Sequence, residues 1–169
     1  NFTSLAPSGS SSTRLQTTKT HYSSSCSEVI AAVEQKNNVN RIDGSTTARV
    51  WIEATQPLQY VKRHYQITPD NNATNAVGRV TLYFTQSDFD DFNNQIPAPT
   101  FRLPNAPADV TGKANLRIEK RGGNSSNGSG LPETYSGTIS TLDPLDTDII
   151  WNVLDGRWEI SFDVMTGFS

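Results

Sequence analysis

Residues 60–94 read YVKRHYQITP, then GRVTLYFTQ, then SDFDDFNN, with only short polar interruptions between them. Val61, Arg63, Tyr65 and Ile67 alternate with Tyr60, Lys62, His64 and Gln66; Val80, Leu82 and Phe84 alternate with Arg79, Thr81 and Tyr83. A period of two sends each set to its own face of a strand. The stretch therefore predicts strand, turn, strand and a brief capped helix, with one face of each strand packed and the other wet. It constrains architecture and carries no catalytic signature.

The same alternation recurs elsewhere. Ala48, Val50 and Ile52 alternate with Thr47, Arg49, Trp51 and Glu53 in a strand over 46–54 that Pro57 stops, and Asp43-Gly44 before it favours a tight reversal. An edge strand is expected over 15–22. Another is expected over 27–33, with Val29, Ala31 and Val33 on one side, although EVIAAVEQK also suits two helical turns. Further strands are expected over 114–120, 134–140, 148–153 and 157–164, the last two joined by a two-residue hairpin at Asp155-Gly156. RGGNSSNGSGLP reads as a long flexible tip.

Thr85 or Ser87 is the cap expected for the short helix, with Asp88, Asp90 and Asp91 in its first turns, where the helix dipole favours carboxylates. Phe89 and Phe92, three apart, share a face suited to plugging one end of the fold. Ile96, Pro97, Pro99, Pro104 and Pro107 then lead through an extended loop.

About nine short strands with one minor helix predict an all-β domain: two antiparallel sheets packed face to face, of the jelly-roll or immunoglobulin-like kind. Trp151, Val153, Trp158, Ile160 and Phe162 are expected to supply the heaviest part of its core. Composition agrees, because 34% hydrophobic and 18% charged residues leave a large share to Ser, Thr and Asn, which compete with the helical backbone for its hydrogen bonds. A chain of 169 residues makes one ordinary domain and buries roughly 70% of its unfolded surface. Residues 1–12, Ser/Thr-rich and poor in large apolar side chains, read as a linker without a core role, leaving 13–169 as the domain. The start at Asn1 suggests a piece of something longer.

Several function classes are disfavoured. A net charge of -3 with 14 scattered basic residues gives no footprint for nucleic acid. Cys26 is a lone cysteine, expected as a small buried hydrophobe, and with His21 and His64 it offers too few soft ligands for structural zinc. No apolar run approaches the roughly 20 residues that span a bilayer. No nucleophile-elbow frame joins Ser, His and Asp, so no catalytic residues are assigned and the chain is not expected to be an enzyme.

Taken in order, Cys26, VIAAV, GSTTARVWIEATQP, YVKRHYQITP, RVTLYFTQSDFDDFN, LRIEKRGG, GLPETYSGT and IIWNVLDGRWEISFDVMTGFS resemble a β-rich accessory domain of large secreted and surface proteins of Bacteroidetes. Such domains stand among adhesion-like modules near a type IX secretion sorting domain. The resemblance covers residues 26–169. It implies an extracellular or cell-surface location and a setting among other domains of the same polypeptide, but brings no catalytic residues with it. Members continue past the GFS with another apolar strand, so the last strand is expected to be missing here and a partner segment to complete the edge.

Two groups of residues carry candidate chemistry. Asp143, Asp146 and Asp148 in LDPLDTD offer oxygens to calcium, the one cofactor expected if there is any, against the alternative of caps and Asx-turns. Their spacing is not that of an EF-hand. Trp51, Tyr60, Tyr83 and Tyr135 are the candidate ligand-binding aromatics: set on wet faces beside Arg, Asn or Asp, they could stack on a sugar ring, against the alternative of a cross-strand ladder. His64 reads as a stacked or hydrogen-bonded surface residue. The N-x-S/T triplets at Asn1, Asn72, Asn124 and Asn127 are chance products of this composition in a bacterial chain.

The leading expectation is a non-catalytic spacer, interaction or adhesion module of a larger exported protein. Its partners would be a surface protein or other domains of its own chain, with loops 94–109 and 121–131 presented for contact. A carbohydrate-binding module and a docking segment for secretion or surface-attachment machinery are the alternatives.

Overall fold

The computed structural model describes residues 2–37, 39–97 and 100–168. Its strands are β1 (Ser4–Leu5), β2 (Ser11–Leu15), β3 (Lys19–Ser23), β4 (Glu28–Gln35), β5 (Ser45–Ile52), β6 (Arg63–Pro69), β7 (Gly78–Phe84), β8 (Ile118–Arg121), β9 (Ile139–Leu142), β10 (Ile149–Asn152) and β11 (Arg157–Val164). The helices are α1 (Gln86–Gln95) and α2 (Val110–Asn115), with 3-10 turns at Pro132–Thr134 and Asp146–Asp148. Strands account for 39% and helical turns for 13%, so the chain is mostly β.

Three sheets are present among the described residues. The largest runs β1-β4-β7-β11-β10 with β3 also on β4; the second is β2-β5-β6; the third is the hairpin β8-β9. The two central strands of the first sheet pair antiparallel, with Val80 opposite Phe162, Leu82 opposite Ile160 and Phe84 opposite Trp158. These side chains join Ala48 and Val50 of β5 and Phe89 of α1 in one core, and half-buried Tyr65 and Ile67 of β6 and Ile118 of β8 pack against it. The expectation of purely antiparallel sheets needs correction, because β1 runs parallel to β4.

That correction bears on the linker as well. Ala6 is buried, its backbone N–H donates to the Val29 carbonyl, and Phe2 and Leu5 pack on a second small core of Val29, Ala32 and Tyr83. Phe2 and Leu5 therefore cover part of the far face of the first sheet, which was expected to be wet, while Ala6 joins the main core. A register shift at Tyr22/Ser23 explains why Val29 lies there: Tyr22 pairs with Ala31 but Ser23 with Val29, leaving Ile30 as an inserted residue. One extra residue flips the alternation, so Val29 faces away from Ala31 and Val33 and does not share their side.

The 15–22 strand is two strands in different sheets. The chain crosses between them at Gln16, whose buried amide donates to the Val33 carbonyl at 2.8 Å and accepts from the Tyr22 hydroxyl at 2.7 Å. Residues 114–120 are only partly strand. Asp109 caps α2 by accepting from the Gly112 N–H at 2.8 Å, so the chain is helical to Asn115 and extended only from Ile118. Pro132 opens a 3-10 turn that ends at Thr134, where the 134–140 strand was expected to start, and β9 begins only at Ile139. Residues 60–67 shift to Arg63–Pro69. The turn at Asp155-Gly156 spans four residues, since Asn152 pairs with Arg157, and the Asn152 side chain accepts from the N–H groups of Leu154 and Asp155. Val153 in that turn is 80% exposed and outside the core, and Cys26 is exposed instead of buried.

Helix α1 forms as its cap residues require. Thr85 and Asp88 make a reciprocal capping box, and Phe89 is buried between Phe84 and Trp158 with ring centroids 5.6 and 5.8 Å away. Pro99 lies outside the described residues.

Candidate functional site

The four aromatics expected to form a platform are not one exposed surface. Tyr83 is only 4% exposed, enclosed by Phe2, Leu5, Val29 and Ala32, with the Arg157 guanidinium 4.7 Å over its ring. Trp51 is half-buried. It stacks on His64 across β5 and β6 at 6.0 Å and lies beneath Gly130, where an added Cβ would come within 2.3 Å of the indole. The 122–131 loop thus folds back over the outer face of the second sheet, tied also by Gln66 Nε2 to Asn124 Oδ1 at 2.9 Å. Tyr60 and Tyr135 are partly exposed, and burial pushes both hydroxyls above the usual tyrosine range.

The acidic group is dispersed too. Asp143 pairs with Arg117 at 3.0 Å and Asp148 with Arg79 at 2.6 Å, while Asp146 stands in the 3-10 turn between them. Among the described residues no three His, Cys, Asp or Glu side chains come together to hold a metal ion, so these aspartates do not form the converging calcium cage that their spacing allowed. Of the acids in α1, Asp88 is buried against Arg63 and Asp91 pairs with Lys62.

What the fold does build is a cleft of about 470 Å³ between the first and second sheets. Its floor is one face of β7 and β11, since every second residue contributes: Val80, Leu82 and Phe84, then Ile160, Phe162 and Val164. Its walls have a different pattern. Residues 63–67 of β6 and 115–121 of β8 and its approach all line it consecutively. A strand that presents both of its alternating sets to one space is presenting its edge.

Hydrogen-bond phase supports this. The Glu53 N–H donates to the Lys62 carbonyl and the Asp70 N–H to the Ser45 carbonyl, so the bonded pairs of β5 with β6 fall at even-numbered β6 positions. Residues opposite one another in an antiparallel ladder alternate between bonded and non-bonded pairs. The backbone groups of Arg63, Tyr65 and Ile67 therefore point away from β5 toward the cleft. By the same phase, set by the Gly122 N–H donating to Thr138, the backbone groups of Glu119 and Arg121 point away from β9. Among the described strands β6 pairs only with β5, and β8 only with β9.

Charged side chains stand in both walls: Arg63, buried against Asp88, on the β6 side, and Arg117, Glu119, Lys120 and Arg121 on the β8 side. Arg117 is matched by Asp143, and Arg121 by Glu119 at 2.6 Å. Lys120 meets no carboxylate among the described residues; its ammonium donates to the Gly167 carbonyl at 2.6 Å and to Thr166 Oγ1 at 3.4 Å. Burial lowers its pKa. Beside the β6 wall, Glu53 Oε1 lies 3.7 Å from Nδ1 of the lining residue His64, neither atom hydrogen-bonded. Burial, reinforced by Glu133, raises Glu53, and burial lowers His64.

Set beside family models, curated proteins and solved structures, the chain gives no match. The cleft itself escaped sequence reasoning. Alternation put Val61, Arg63, Tyr65 and Ile67 on one face of a strand, but nothing in it marks a strand as having only one neighbour.

Proposed function

We propose that this domain is a non-catalytic interaction module of a larger exported protein, in which the first two sheets act as the layers of a sandwich and the cleft between β6 and β8 is the contact site. The observation that carries the reading is the composition of that cleft: an apolar floor, and walls in which half-buried Tyr65, Ile67 and Ile118 stand among polar and charged side chains. A pure spacer has no need of such a feature, because leaving apolar surface half-covered forgoes about 25 cal/mol per Å². The extracellular setting rests on the resemblance to accessory domains of Bacteroidetes surface proteins. The covered position of Trp51 and the burial of Tyr83 give no support to a sugar platform.

Titration with 8-anilinonaphthalene-1-sulfonate tests it. Saturable binding of one dye per chain, reduced by Ile118→Trp, is the expected result. Absence of binding by a folded protein would mean that the cleft is closed in solution and would return the domain to a spacer role.

A further inference from the structure

The two walls say more about the occupant than the floor does. Both are strand edges, and both present to the same space peptide groups that pair with no other strand among the described residues. A small apolar ligand would fill the floor but leave those N–H and C=O groups without protein partners. An extended chain satisfies them, since strand addition supplies main-chain hydrogen bonds while alternate side chains enter the apolar interior. The floor leaves little room at rest: Leu82 and Phe162 are each only 8% exposed. Entry therefore requires the wall to shift, and the β8-β9 hairpin is suited to that. It is a separate two-stranded sheet, an arrangement of marginal stability on its own.

The β8 wall selects by charge. Arg117 and Arg121 are already matched by Asp143 and Glu119, whereas among the described residues Lys120 is held by a carbonyl and a hydroxyl. A carboxylate delivered beside β8 would give Lys120 a counter-ion that none of the described residues supplies; a second ammonium there would be repelled.

We propose that the cleft between β6 and β8 receives an extended segment of a partner polypeptide, apolar at alternate positions and acidic at a position facing Lys120, which adds as a strand to one or both edges. This rests on the reading of the cleft as the contact site and names what enters it.

The test uses the intact chain and synthetic peptides of seven residues, the length of β6. One alternates Val with Thr and carries a central Glu; a second carries Lys in its place; a third is the Glu peptide N-methylated at alternate residues. Palmitate is titrated in parallel. The Glu peptide is expected to bind and to slow amide exchange at Tyr65 and Ile67, or at Glu119 and Arg121. N-methylation should weaken it by about tenfold or more, as the loss of several backbone bonds implies. Lys120→Gln, a substitution in the β8 wall that leaves the core intact, should abolish the preference for Glu over Lys.

Equal binding of the N-methylated peptide, or binding without protection of either edge, would overturn the proposal. So would palmitate binding while the peptides do not, which would make the occupant an amphiphile. If the dye enters the cleft and no peptide does, only this inference fails. If neither binds, the contact-site reading fails with it.

Discussion

Arg63 Nε and Asp88 Oδ2 meet at 2.9 Å with both side chains almost wholly removed from water, at 8% and 3% exposure. The pair joins the start of β6 to the first turn of α1. Asp88 also accepts from the Thr85 N–H at 2.8 Å and the Thr85 hydroxyl at 2.9 Å, while Arg63 reaches the Ala6 carbonyl at 3.4 Å. One contact thus ties the cleft wall, the helix cap and the opening segment together.

Removing one partner leaves a charge stranded in a dry site. Arg63→Ala should cost about 3–5 kcal/mol in urea unfolding. Placing Arg63→Met on an Asp88→Asn background keeps the cap acceptor and removes both charges, so its loss should be clearly smaller. Equal losses for the two variants would show that the ion pair itself matters little.

The opening segment should be an integral part of the domain. Deleting residues 1–6 removes β1, uncovers Val29, Ala32 and Tyr83, and takes Ala6 from the core. With Phe2 and Leu5 only partly buried, a loss on the order of 2–4 kcal/mol is expected from the apolar surface exposed. Unchanged thermal stability after the deletion would restore the linker reading.

How much of this was legible in the sequence follows from what alternation reports. Strands β5, β7 and β11 and the cap of α1 could be read directly, because period-two patterns and Thr85 with Asp88 are local signals. Tyr83 was misplaced because its cover comes from Phe2 and Leu5, nearly eighty residues earlier, and long-range cover leaves no local mark. Val29 was misplaced by an inserted residue that alternation cannot register. Trp51 looked like a platform because its lid, Gly130, arrives from a loop whose composition suggested only flexibility. The cleft is the extreme case, since it depends on which edges lack neighbours.

Gly130 is where the lid can be tested. Its φ is +71°, and a Cβ would meet the Trp51 ring at 2.3 Å. Gly130→Ala should detach the 122–131 loop from Trp51, raising cleavage of that loop in limited proteolysis, and destabilise the domain by about 1–3 kcal/mol. Unaltered cleavage would contradict the packing of loop on indole.

His64 should titrate below its ordinary value of 6.5, because burial disfavours the imidazolium. A group depressed in the folded state contributes stability that is fully present above the unfolded midpoint and lost as pH falls through the folded one. Stability should therefore decline below about pH 6.5, and less so in His64→Phe. The ring protons in an NMR titration give the check; a midpoint above 6.5 would mean that Glu53 has become a true ion-pair partner.

Residue-resolved amide exchange of the free protein addresses the unpaired edges directly. If β6 and β8 each have one open side, the amides of Tyr65, Ile67, Glu119 and Arg121 should exchange far faster than those of His64, Gln66 and Lys120, giving alternate fast and slow positions along both strands. Uniform protection along β6 and β8 would show that their edges are already paired and that no strand-receiving cleft exists.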